Sequence, residues 1–245
     1  MILRFSIFGN AYYFTFKFFG LMLFFVLLFS SLGFWQYHRA QEKRLLIQAY
    51  AQRKSQQLIG YNRLFNEAED SRFYSVYLEG RFDNQHPIFL DNKTLDGQLG
   101  YEVYTPFLLE GASKAILIDR GWVPANRDRR ILPSIEPVQG PLALRGVLNA
   151  PPRYFSLGGM TEGANHSFPL RVQYINIKEL APILGLSLPP YILWLDPADI
   201  HGFKRQWKVV LMGPEKHVLY TVQWFAFALS LLVIFGVLNL HRVEP

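Results

Sequence analysis

Six histidines and no cysteine bound the chemistry open to this 245-residue chain. Without thiols there is no disulfide framework, thiolate metal site, iron–sulfur cluster or cysteine nucleophile. Proton transfer and metal ligation therefore fall to imidazoles, whose positions are of two kinds. His86, His166 and His201 lie far apart in polar, turn-rich sequence. The familiar catalytic spacings are absent around them: Gly185-Leu186-Ser187-Leu188-Pro189 lacks the last glycine of a nucleophile elbow, no phosphate-binding lysine follows Gly158-Gly159, and there is neither H-E-x-x-H nor a dinucleotide fingerprint. His38, His217 and His241 stand instead at the margins of long apolar runs. An imidazole there stays neutral at little cost and can ligate a metal or the iron of a porphyrin sheltered by apolar neighbours. It can equally be an interfacial residue bonded to lipid headgroups.

The apolar runs position these histidines. Phe18 to His38 and Val218 to Leu240 contain 21 and 23 residues without a formal charge. As helices they measure about 31 and 35 Å, enough to cross a hydrocarbon core about 30 Å thick, which excludes an ordinary soluble enzyme. The first is expected to be an uncleaved anchor, since a signal peptide has a shorter apolar region and a small-residue cleavage site. Trp35, Tyr37, Tyr220 and Trp224 sit where an interfacial aromatic belt would. Trp224 and Phe225 are either a packing seam between the spans or a wall for a stacked ring. Two crossings bring His38 and His217 to one membrane face and His241 to the other. Arg39, Lys43, Arg44, Lys204, Arg205, Lys208 and Lys216 flank the middle segment, against Arg4, Lys17 and Arg242 on the tails. Charge counting alone would keep the middle segment in the cytoplasm, although the rule weakens for domains of this length.

Arg39 to Lys216, 178 residues, is long enough to bury its own core. Ala40 to Gln57 is rich in helix formers and is expected to continue the first span as helix. Short aromatic and β-branched runs follow, at Phe73–Phe82, Pro87–Leu90, Gly100–Leu109, Lys114–Asp119, Leu142–Leu148, Leu170–Ile177, Tyr191–Leu195 and Trp207–Leu211. The period-two alternation of Tyr74, Val76, Leu78 and of Tyr101, Val103, Thr105 predicts half-buried strands. One short helix is expected around Lys178 to Leu184. The fold class is therefore a mixed membrane protein, two transmembrane helices flanking a mainly antiparallel β domain, barrel or sandwich. The domain's 22 basic against 18 acidic residues are too nearly balanced for a nucleic-acid partner. The basic run Asn126 to Arg130 is either a solvated loop or a surface for lipid headgroups or carboxylates.

The succession of motifs resembles the Surfeit-locus family of cytochrome c oxidase assembly factors. LGFWQYHRAQEK matches the family's L-G-x-W-Q-x-x-R-x-x-x-K through Leu32, Gly33, Trp35, Gln36, Arg39 and Lys43. Gly80-Arg81-Phe82, Leu90-Asp91-Asn92, GYEVYTPF from Gly100, IDRGWVP from Ile118 to Pro124, and KHVLYTVQWFAFAL from Lys216 follow in order over nearly the whole chain. The resemblance implies spans at 18–38 and 217–240, cytoplasmic tails at 1–17 and 241–245, and a periplasmic β-rich domain at 39–216 in a bacterial inner membrane. It also implies a non-enzymatic chaperone role, with haem a bound transiently and delivered to oxidase subunit I, and haem a synthase as a possible second partner beside membrane lipid. The family's haem-ligand histidine matches His217. Pro214-Glu215-Lys216 replaces its Asn-rich lead-in. On this reading the porphyrin lies between the spans against Trp224 or Trp35, and Arg39, Lys216 or the Arg127–Arg130 loop meets its propionates. The alternatives are a haem-free scaffold that stabilises assembly intermediates, and a membrane-tethered hydrolase or sensor in which His166 or His201 approaches an acid.

Overall fold

The computed structural model describes residues 2–7, 10–56, 70–110, 114–152, 154, 158–161 and 167–242. Among them the helices are α1 (Phe19–Lys54), α2 (Ile177–Leu184) and α3 (Pro214–Asn239). The strands are β1 (Ile2–Ile7), β2 (Asn10–Thr15), β3 (Ser75–Phe82), β4 (Ile88–Leu95), β5 (Gln98–Leu109), β6 (Ala115–Pro124), β7 (Leu142–Asn149), β8 (Leu170–Val172), β9 (Ile192–Leu195) and β10 (Leu240–Arg242). The chain forms two compact units, Met1–Gln48 with Val209–Pro245, and Ala49–Lys208.

The second unit is a closed β-barrel. Its order runs β3-β7-β9-β6-β5, and β5 returns to pair with β3, while β4 and β8 extend the sheet from the β5 side. All neighbours are antiparallel except β6 with β9 and β4 with β8. Alternation sets the inside: Val76, Leu78, Gly80 and Phe82 of β3 are buried while Tyr77, Glu79 and Arg81 between them are exposed. They pack with Phe107, Ile116, Ile118, Leu144, Leu148 and Leu193 as one core. At Gly80 a Cβ would stand 2.0 Å from the Leu108 carbonyl oxygen, so the closing contact between β3 and β5 requires glycine. Tyr101, Val103 and Thr105 are buried, but so are Tyr104 and Pro106, so β5 is covered on both faces from Val103 to Phe107 and is not the half-buried strand its alternation predicts. The expected short helix is α2, started by the Asn176 side chain accepting from the Lys178 N–H and ended by left-handed Gly185.

Two expected strands are corrected. Leu170–Ile177 keeps only Leu170–Val172, because Asn176 caps α2. Trp207–Leu211 is not a strand at all. In a closed barrel β6 and β7 already occupy both edges of β9, so no edge remains there for this run. Trp207 stacks on Trp194 at 5.3 Å instead and donates to the Leu195 carbonyl.

The first unit contains the two apolar runs as helices, both long and apolar enough to cross a membrane. Leu21, Leu27, Leu219, Val222, Leu229 and Val237 are each more than half exposed, an apolar surface that fits membrane association. α1 continues unbroken past His38 to Lys54, as its helix-forming sequence predicts; Gln57 and the 57–69 stretch lie outside the described residues. The N-terminal tail contributes β1 and β2 to a three-stranded sheet with β10. Asn239, 4% exposed at the end of α3, accepts from Thr15 Oγ1 at 2.8 Å and from the Lys17 N–H, and donates to the Phe235 carbonyl.

Candidate functional site

His217 occupies the first turn of α3, which Pro214 opens at a position where its missing N–H costs nothing. The imidazole is 8% exposed, and its Nδ1 lies 2.8 Å from Oε1 of Gln36 on α1. A carbonyl oxygen can only accept, so Nδ1 donates to Gln36, and in the neutral ring this tautomer places the lone pair on Nε2. This is the arrangement by which a metal-binding imidazole is oriented and made more basic through its other nitrogen. Thr221 Oγ1 donates to the His217 carbonyl one turn on, at 2.9 Å.

The other residues singled out from sequence are placed as follows. Trp224 stacks on Phe29 of α1 at 5.8 Å and meets Phe227 edge-on. Phe225 lies against Gly33, where a Cβ would be 3.0 Å from the ring, and against Phe34. The seam between the helices is thus filled by aromatic packing at this level, with no room for a planar macrocycle between Gly33 and Phe225. Trp35 is 58% exposed. Arg39 pairs with Glu42 at 2.6 Å. His38 is exposed with its ring against Tyr37, and His241 stacks on Tyr13 at the far end of the pair. The donor set would fit a group that takes one protein ligand: a buried imidazole whose Nδ1 is engaged by Gln36, and among the described residues no group of three or more potential metal ligands.

In the barrel unit His86 Nδ1 lies 2.6 Å from Asp83 and His201 Nδ1 lies 2.8 Å from Asp199, each within a turn. Among the described residues no hydroxyl bonds to either ring; His166 lies outside the described residues. The basic loop is structured: Arg129 pairs with buried Asp91, its carbonyl accepts from Arg171, and Arg130 pairs with Asp128. Arg120 is 3% exposed, held between the rings of Phe82 and Phe203, and burial lowers its pKa to about 10. Asp119, facing Tyr104 across β5 and β6, has its pKa raised well above the ordinary carboxyl value by burial and then by Glu102.

The sequence model of the SURF1 family matches residues 23–229, taking in both helices of the pair, the Gln36–His217 contact and the barrel. The chain belongs to the SURF1 family. The yeast Saccharomyces cerevisiae protein named "Cytochrome oxidase assembly protein SHY1" is 30% identical over 110 residues, 44% of this chain and 28% of the yeast protein. A "SURF1-like protein" of Rickettsia bellii is 25% identical over 212 residues, 84% of each chain, and "Surfeit locus protein 1" of Xenopus tropicalis is 29% identical over 220 residues, 80% of this chain and 67% of the frog protein. Within this SURF1-family chain, sequence reasoning left Gln36 without a role although it stands in the quoted motif. The available signal was an amide inside a 21-residue charge-free run, at the depth where a two-pass count puts His217.

Proposed function

We propose that this protein is a membrane-held cytochrome c oxidase assembly factor that carries haem a on His217 and passes it to oxidase subunit I, receiving it from haem a synthase. The observation that supports this reading is the Gln36–His217 hydrogen bond, which leaves Nε2 as a ligand at the margin of two apolar helices. The yeast relative's name supports the assembly role. The barrel stands on the periplasmic side of a bacterial inner membrane. His217 supplies the iron ligand, Gln36 holds the tautomer, exposed Trp35 offers an aromatic face, and Arg39 or Lys216 meets the propionates. Because Trp224 is engaged with Phe29, it acts by stiffening the seam.

The filled contact between Gly33 and Phe225 favours a second reading, a haem-free scaffold whose helix pair is complete without a guest. Co-expression with a haem a-producing system separates the two. The carrier reading expects a Soret band in the purified wild type that His217→Ala abolishes while the fold and partner pull-down persist. A colourless wild type that still captures subunit I would establish the scaffold instead. Reporter fusions to the barrel unit test the orientation, and cytoplasmic activity there would overturn the periplasmic placement.

A further inference from the structure

One end of the helix pair is more basic than its surroundings require. The Gln36–His217 bond levels the two helices, so Arg39, Lys43 and Arg44 continue beyond that level on α1, about 4 to 12 Å further along, while Lys216 immediately precedes His217 on α3 and residues 209–213 lead into that helix. Glu42 and Glu215 are the only acids among residues 36–48 and 209–217, against these four cations. Arg44 and Lys216 are exposed. The run Val209-Val210-Leu211-Met212 precedes α3 as irregular backbone, with Leu211 97% exposed and Met212 38% exposed. Leu211 stands five residues before Lys216, and an interface supplies partners for both kinds of group: acyl chains for Leu211 and phosphate oxygens for the cations.

We propose that this end of the pair recognises anionic phospholipid, with Leu211 inserted at the headgroup boundary and Arg44 and Lys216 contacting the phosphates. This inference rests on the two helices crossing a membrane and not on haem binding. It gives Arg44 a role of its own and Lys216 one besides meeting propionates. Free phosphate carries the same charge without an acyl chain, so Leu211 distinguishes a lipid from a soluble anion.

The full chain is reconstituted in vesicles of equal parts phosphatidylglycerol and phosphatidylcholine, and the lipid retained after detergent extraction is weighed by native mass spectrometry. Wild type should retain phosphatidylglycerol about 5-fold over phosphatidylcholine, and the Arg44→Gln, Lys216→Gln variant should retain the two equally. Vesicles of phosphatidylcholine alone report anchoring independently of headgroup preference. Because the chain has no native cysteine, Leu211→Cys carries a unique spin label. Its collisions with oxygen should exceed those with a water-soluble nickel complex. Equal retention by the wild type, unchanged enrichment in the charge variant, relief of enrichment by free phosphate, or a water-like label at 211 would each overturn the proposal.

Discussion

Buried polarity is distributed differently in the two units. In the barrel it comes in clusters: Asp119 with Tyr104 and Glu102, Asp91 with Arg129, and Arg120 between two phenylalanines. In the helix pair the buried polar side chains are far apart: His217 bonds to Gln36 at one end, and Asn239 bonds to Thr15 and the Lys17 N–H at the other. The contrast follows from the solvent. Water drives the barrel's apolar strands together, and its polar groups need only be satisfied within a fold already specified by burial. For a pair of helices apolar enough to cross a membrane, lipid would supply no such drive, and close packing at Gly33 with a few hydrogen bonds would set the register.

The contrast can be broken most forcefully in the barrel. Gly80→Ala drives a methyl into the Leu108 carbonyl and should cost about 3 kcal/mol, read as a lowered midpoint in thermal unfolding by circular dichroism. A neutral result would mean that β3 and β5 close more loosely than their pairing implies. Gln36→Leu leaves the His217 Nδ1–H without its acceptor, and haem affinity should fall about 10- to 100-fold in a spectroscopic titration while the barrel's melting is unchanged.

Two carboxyls of the barrel unit titrate with opposite sign. The folded pKa of Asp119 is raised, so its ionisation opposes folding. Its contribution to stability is fully present below the unfolded value near 3.8 and is lost as pH rises through the folded value. Asp119→Asn should remove that loss while keeping an acceptor for the Gly121 N–H, flattening the alkaline limb of a stability profile measured by denaturant. Asp70, held to about 2 chiefly by the side-chain hydrogen bond from Arg72, contributes stability present above its unfolded value of 3.8 and lost as pH falls through about 2. Asp70→Asn should therefore lower stability throughout the range above pH 3.8 and flatten the acid limb. The smallest effect is expected at the helix pair's far end: Asn239→Ala should cost about 0.6 kcal/mol in a detergent-unfolding titration followed by Trp224 fluorescence.

β3 was legible because burial imposes period two, with Val76 and Leu78 inside and Tyr77 outside in both pattern and structure, while β6 and β9, buried along nearly their whole length, were legible as short apolar runs. Closure was not, since nothing local in Gly80-Arg81-Phe82 announces a partner at Leu109-Leu108-Phe107. Trp207–Leu211 has strand composition but meets a barrel with no free edge beside β9, so pairing opportunity overrode propensity. In the helix pair, length and apolarity revealed the spans. Their meeting residues stayed hidden because an apolar helix presents similar faces all round. His217 was found through its position and its motif, whereas Gln36 gains meaning only beside it.

The small sheet at the other end has a practical corollary. β10 aligns with β2, with Leu240 opposite Phe14 and Arg242 opposite Tyr12, so the first and last strands of the chain are knotted into one clasp. Labels placed on β1 and β10 would be near neighbours, since both strands pair with β2. A donor–acceptor pair placed there would register any parting of the spans as a drop in energy transfer, leaving the histidine end untouched.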